Sequence, residues 1–320
     1  MRKHVISKLL GPLILASVFV VSTAFSQDKN DATTKGPRGR TAAQIEVYKT
    51  INDFELKMHI FKPDGHTPIQ KRPAIVFFFG GAWSGGSTSQ FANHCRYLAS
   101  RGMMAMAADY RVYSRQQATV VECVADAKSA IRWVRNNAAR LGVDPNRIAA
   151  GGGSAGGHLA AAVATLDGFD EKGEDLAISA RPNAVVLFNP VLDLTPNAFS
   201  KAFREKRYAG FAKRWGTKTE NLSPTHHVNK GVPPTIIFHG KSDTTVPYAQ
   251  AEAFARAMKQ VGNRCQLVGF EGEQHGFFNY GRNRNKSFIA TLRQADQFLA
   301  SLGYLRGKPS IESFVTESRR

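Results

Sequence analysis

Cysteine, proline and acidic residues are all scarce in this 320-residue chain. Three cysteines are too few, and odd in number, for a disulfide scaffold. With 14 prolines and 28 glycines, collagen-like and low-complexity readings are excluded. Beyond the first thirty residues no run is apolar enough to span a bilayer, which excludes a polytopic membrane protein. No repeat of solenoid length is visible. Acids number 25 against 43 Lys and Arg, a formal net charge of +18. Zinc-finger spacing and the aromatic-and-basic segments that read RNA are both missing, so nucleic acid is not the expected partner. What is present, 42% hydrophobic and 21% charged residues, has enough apolar surface to offset chain entropy. One soluble domain is expected.

The beginning of the chain stands apart from that domain. Arg2, Lys3 and Lys8 precede an apolar run from Leu9 to Phe25, and Ala24 and Ser26 supply the small residues of a cleavage site before Gln27. This pattern predicts a signal peptide over 1–26 and a periplasmic or secreted protein, with no stable membrane insertion after cleavage. An uncleaved N-terminal anchor is the alternative, because the apolar run is about as long as a signal allows. No cysteine follows, so a lipoprotein anchor is excluded. Residues 27–43 read as a polar leader, 44–304 as the folded domain and 305–320 as a C-terminal tail. After export, one pair among Cys95, Cys123 and Cys265 could be bridged. The basic balance suits an anionic partner such as an acidic polysaccharide, or is a merely soluble surface.

Strands and helices alternate from residue 44 onward. Glu46–Ile51 and Phe54–Phe61 read as paired strands around Asn52-Asp53. The unbroken apolar run Ala74–Phe79 marks a strand buried on both faces. Further strands are expected at Met103–Asp109, Arg147–Ala150, Ala184–Asn189, Thr235–His239 and Gln266–Phe270. Helices are expected at Phe91–Ser100, Glu122–Leu141, Ala155–Thr165, Ala249–Val261 and Ser287–Leu302. Such alternation predicts an α/β fold, a mostly parallel sheet covered by helices on both faces. Residues 191–232 break the rhythm as a small, lid-like insertion too short to be a domain.

Gly152-Gly153-Ser154-Ala155-Gly156 joins the end of a strand to an Ala-rich helix. A serine at such a turn is forced into a strained conformation that exposes its hydroxyl, and the glycines are needed because a Cβ there would collide with the neighbouring strand and helix. The same letters satisfy a dinucleotide fingerprint, Gly151-x-Gly153-x-x-Gly156, with Asp170 and Glu171 following. That fingerprint belongs on the first strand of its unit, whereas several strands precede this one, so a nicotinamide or flavin is not expected. Gly240-Lys241-Ser242 fails as a phosphate loop because residue 235 is Thr where the first glycine is required. A nucleophilic serine needs a base and an orienting acid. His275, in a loop between a strand and the final helix, and Asp243, directly after a strand, fill these places in the chain order Ser154, Asp243, His275. Phe79-Gly80-Gly81-Ala82-Trp83 follows the first buried strand, and the N–H groups of Gly81, Ala82 and Ala155 are the expected oxyanion donors. Asp193, also after a strand, is read as a structural turn residue rather than the acid. Trp83 either lines an acyl pocket or packs under the insertion. His158, His226 and His227 lack metal-ligand spacing, and neither metal nor cofactor is expected. The insertion carries Lys201, Arg204, Lys206, Arg207, Lys213, Arg214 and Lys218, a solvated face near the mouth of the site.

These motifs resemble the α/β-hydrolase serine esterases, near the bacterial acetyl xylan and feruloyl esterases and their lipase-like relatives, over roughly residues 44–303. Phe78-Phe79-Gly80-Gly81-Ala82-Trp83 stands where that family has His-Gly-Gly-Gly-Trp, with Phe79 for the histidine and Ala82 for the third glycine. Asp109-Tyr110-Arg111 and Gly153-Ser154-Ala155-Gly156-Gly157-His158 also fit. The resemblance implies an acyl-enzyme mechanism on acetyl or feruloyl esters of polysaccharide, possible anionic substrates included. A peptidase or lipase of the same fold, or a non-catalytic binding protein on the scaffold, are the rivals.

Overall fold

The computed structural model describes residues 43–317; the expected signal peptide and the leader up to residue 42 lie outside the described residues. Eight strands form one sheet: β1 (Gln44–Ile51), β2 (Phe54–Phe61), β3 (Arg72–Phe78), β4 (Met104–Ala108), β5 (Val143–Gly153), β6 (Ala184–Phe188), β7 (Thr235–Gly240) and β8 (Cys265–Phe270). Their spatial order is β1-β2-β4-β3-β5-β6-β7-β8. The tight turn at Asn52, with φ of 50°, makes β1–β2 a hairpin, and β2 is antiparallel to β4 as well. All later pairings are parallel. The central strands read as continuous apolar runs because both faces are covered, and every residue from Pro73 to Phe78 is buried.

Among the described residues six helices of at least seven residues do the covering: α1 (Ala92–Ser100), α2 (Val120–Asn136), α3 (Ala155–Thr165), α4 (Tyr248–Gln260), α5 (Lys286–Ser301) and α6 (Ile311–Glu317). On one face Val124, Ile131, Leu159 and Phe254 of α2, α3 and α4 pack against the sheet. On the other, Tyr97, Leu98, Phe288, Leu292 and Phe314 come from α1, α5 and α6. Three elements differ most from the sequence reading, and one is β5, which runs from Val143 to Gly153 where Arg147–Ala150 is expected. The expected helix Glu122–Leu141 starts earlier, at Val120, where Thr119 and Glu122 form a reciprocal capping box, and it breaks at Asn137. There the Asn137 side-chain amide donates to the Trp133 carbonyl at 2.9 Å, beside the backbone N–H of the same residue at 3.0 Å. The expected tail contains α6, whose Ile311, Phe314 and Val315 are buried in the second core. All three cysteines are free, with Cys95 and Cys123 buried on opposite faces of the sheet, so no pair is bridged in this structure.

One core residue makes stability depend on pH. His94 is fully buried among Phe77, Phe91, Phe188, Phe278 and Phe288, and among the described residues neither ring nitrogen has a hydrogen-bond partner. Burial pushes its imidazole from 6.5 down to about 3, because the charged form has nothing to replace its water. The folded-state value is depressed, so the unfolded chain binds the proton first as pH falls. Stability is therefore full above about pH 6.5 and declines towards pH 3, by at most about 1.4 kcal/mol per pH unit for this group. Thermal melts from pH 7 to 4 are expected to show a steeper decline for the native chain than for His94→Phe. Parallel curves would contradict this assignment.

Candidate active site

The ends of four parallel strands build the site. The chain leaves β5 at Gly153 and turns at Ser154, whose φ of 55° and ψ of −120° place it outside the usual regions, before α3 begins at Ala155. Glycines make this turn possible. A Cβ on Gly152 would lie 2.3 Å from the Gly156 carbonyl oxygen, and one on Gly156 would lie 2.0 Å from that of Phe78. The register sets Gly152 beside Phe78, so the serine turn and the loop leaving β3 emerge side by side.

Three side chains converge there. His275 lies in the loop after β8, and its Nε2 sits 2.9 Å from the Ser154 hydroxyl. Its Nδ1 lies 2.7 Å from Oδ2 of Asp243, in the loop after β7. The other carboxylate oxygen of Asp243 accepts from the Thr245 and Val246 N–H groups at 2.8 and 2.9 Å. Burial alone would raise the Asp243 pKa, but hydrogen bonds from His239, His275 and the Val246 N–H outweigh it and hold the carboxyl well below the usual range. An ionised Asp243 requires the proton on His275 Nδ1, leaving the Nε2 lone pair free to accept from the serine. This relay can deprotonate a hydroxyl as it attacks.

The histidine loop is held by its backbone. Asn189 accepts from the Gly276 N–H at 2.9 Å, and Arg282 donates to the His275 carbonyl at 3.1 Å. Gln90 accepts from the Gly80 N–H at 2.7 Å and donates to Asn279, which tethers the loop after β3 to the histidine loop. Gly81, Ala82 and Trp83 follow with φ of 131°, 54° and 55°. Ala82 accepts a left-handed conformation that costs a residue with a Cβ on the order of 1 kcal/mol. The loop is braced from behind: Tyr110 donates to the Phe79 carbonyl at 2.8 Å, Tyr113 N–H to that of Trp83 at 2.9 Å, and Arg214 to that of Ala82 at 3.0 Å. Phe79, in place of the family histidine, stacks on the Tyr110 ring with centroids 4.2 Å apart. Among the described residues the Gly81 and Ala82 N–H groups have no acceptor, and Ala155 N–H opens α3. These donors suit an oxyanion.

Beside Ser154 lies an apolar cavity of about 70 Å³, lined by Trp83, Val191, Phe199, Phe203, Phe211 and Trp215 among others. Trp83 does both things its sequence position allowed, lining this cavity and packing against Trp215 with ring centroids 5.7 Å apart. The insertion turns its aromatic residues towards the serine, and its charges serve differently from one another. Lys201 is exposed, whereas Arg214 points inward onto Ala82 and Ser84 and stacks over Tyr113. Arg214 is thus a brace and not part of a solvated rim; the Lys206 and Arg207 side chains lie outside the described residues. Asp193 accepts from the Thr195 N–H at 2.8 Å and faces His226 at 3.3 Å, apart from the relay. His227 contacts the Glu220 carbonyl, and His158 is buried in a network described below. Sequence reasoning missed His239, whose Nε2 lies 2.9 Å from the Val246 carbonyl and 3.4 Å from Asp243 Oδ2. Its four-residue spacing from Asp243 across a strand end is the signal that could have shown it.

A mostly parallel sheet that presents a Ser–His–Asp relay in this strand order, with a glycine loop alongside, is the α/β-hydrolase fold. The chain belongs to the BD-FAE family, whose model matches residues 58–258. It is similar to esterase 2 of Thermogutta terrifontis, at 51% identity and a TM-score of 0.79, over 85% of this chain and 99% of that one. Structures of that esterase with propionate and with butyrate bound match at TM-score 0.78, each at 51% identity over 83% of this chain and 97% and 96% of theirs. Esterase LipQ of Mycobacterium tuberculosis is 30% identical over 71% of this chain and 55% of its own length. An isoprenylcysteine alpha-carbonyl methylesterase of Arabidopsis thaliana is 30% identical over 68% and 53%. The chain spans about half the length of most of the curated relatives it matches. By family it is a carboxylic ester hydrolase.

Proposed function

We propose that the protein hydrolyses esters of short carboxylic acids through an acyl-enzyme, with Ser154 as nucleophile, His275 as general base and acid, and Asp243 holding the imidazole. The observation that carries this is the relay set beside a small, apolar cavity at Ser154. Ser154 Oγ attacks the ester carbonyl while its proton passes to His275 Nε2. The carbonyl oxygen becomes an anion facing the Gly81, Ala82 and Ala155 N–H groups. His275 returns the proton to the departing alcohol, and water then releases the acid by the same path. The cavity is small and apolar, which favours short acyl groups from acetyl to butyryl over a long fatty chain. The propionate and butyrate complexes of the Thermogutta esterase support the same size range. The natural substrate on this reading is an acetylated polysaccharide met after export, a role that the N-terminal pattern and the basic composition support.

Chromogenic esters of increasing acyl length test the proposal. kcat/KM is expected to be highest from acetate to butyrate and to fall at least about tenfold by dodecanoate. Faster turnover of dodecanoate than of acetate would overturn it in favour of a lipase.

A further inference from the structure

We propose that His158 is a positioning residue that sets the acyl-length limit, by locking Trp83 into the wall of the acyl cavity and tying that wall to the insertion. The inference rests on the short-acyl reading above and names what enforces it. His158 is fully buried on α3, one turn beyond Ser154, and its own N–H bonds the Ser154 carbonyl at 2.9 Å. Its ring has two partners of fixed character. The Trp83 indole N–H can only donate, and it reaches Nδ1 at 3.3 Å. The Leu222 carbonyl can only accept, and it lies 2.8 Å from Nε2. One neutral tautomer, with its proton on Nε2, satisfies both.

The imidazole therefore joins three separate parts of the site: the loop carrying Ala82 and Trp83, the helix behind the nucleophile, and the insertion. Trp83 is clamped on its other sides by Trp215 and Phe211, whose rings meet it nearly edge-on. Its backbone is already left-handed and braced, so the side chain cannot be moved by a small relaxation of the loop. On this proposal Trp83 is the wall that yields, so an acyl chain longer than the cavity turns its ring. That motion breaks the indole–imidazole bond and leaves a buried donor and a buried acceptor facing nothing, which apolar contact with the chain does not replace. Bulk alone would make the limit gradual. A hydrogen-bonded latch makes it sharp.

The test compares His158→Phe, which fills the space without either hydrogen bond, with His158→Gln, whose amide can both accept from Trp83 and donate to Leu222. The readout is the ratio of kcat/KM on p-nitrophenyl octanoate to that on butyrate. It is expected to rise at least about tenfold in His158→Phe and to stay within about threefold of the native value in His158→Gln. An unchanged ratio in folded His158→Phe, or an equal loss on both esters, would overturn the latch and leave His158 a core residue only. Should His158→Phe fail to fold, His158→Asn, too short to reach both partners, carries the same expectation and the same refutation. Failure of the underlying reading would show separately, as a native enzyme that prefers octanoate.

Discussion

Ser154→Ala is expected to lower kcat/KM on a short ester by roughly 10⁴- to 10⁶-fold, the range lost when the nucleophile of a serine relay is removed. Only the Ser154 hydroxyl disappears. His275 and Asp243 keep their contact, and the oxyanion donors stay in place. The Ser154 side chain is half-exposed, so the variant should melt within about 2 °C of the native protein, as replacements away from core features do. It should also resist a fluorophosphonate probe that labels the native enzyme. Residual activity above about a thousandth would move the chemistry away from this serine. The melt separates loss of labelling through unfolding from loss of labelling through the missing hydroxyl.

Asp243→Asn should cost about 10⁴-fold in kcat, and the structure supplies the reason. One carboxylate oxygen accepts from two backbone N–H groups, those of Thr245 and Val246. An asparagine must keep its carbonyl there, which turns its NH₂ towards His275 Nδ1 and, at 3.4 Å in the native geometry, towards His239 Nε2. Donating to Nδ1 forces the imidazole proton onto Nε2, where it blocks acceptance from Ser154. Asp193→Asn is the control. That carboxylate caps a turn at Thr195 and faces His226, so its loss should leave kcat within about threefold, as for a surface substitution. Reversal of the two outcomes would assign the orienting acid to Asp193.

The sequence by itself determines the sheet-and-helix alternation and the three relay residues. Each of the three lies in a short loop directly after a strand, and parallel strands deliver their carboxyl ends to one edge. The glycines around Ser154 are equally legible as a motif, although what they avoid is tertiary: a Cβ on Gly156, in the first turn of α3, would meet the carbonyl oxygen of Phe78 at the end of β3. Helix ends are less so. The break at Asn137 is a departure of one residue from helical backbone angles, and the apolar period of Glu122–Leu141 runs straight through it.

Only the tertiary structure decides what the insertion does. Its charges dominate the sequence, yet Phe199, Phe203, Phe211 and Trp215 are what it sends to the serine. A π-helical stretch at Arg204–Tyr208, wider than an α-helix, interrupts the insertion's short α-helices, so no single 3.6-residue period runs through it. Trp83 and His158 are 75 residues apart, and His158 and Leu222 are 64 apart. Sequence shows the residue types at such positions but not their meeting, because a buried hydrogen bond between distant segments depends on how both are packed, and packing is a property of the whole core.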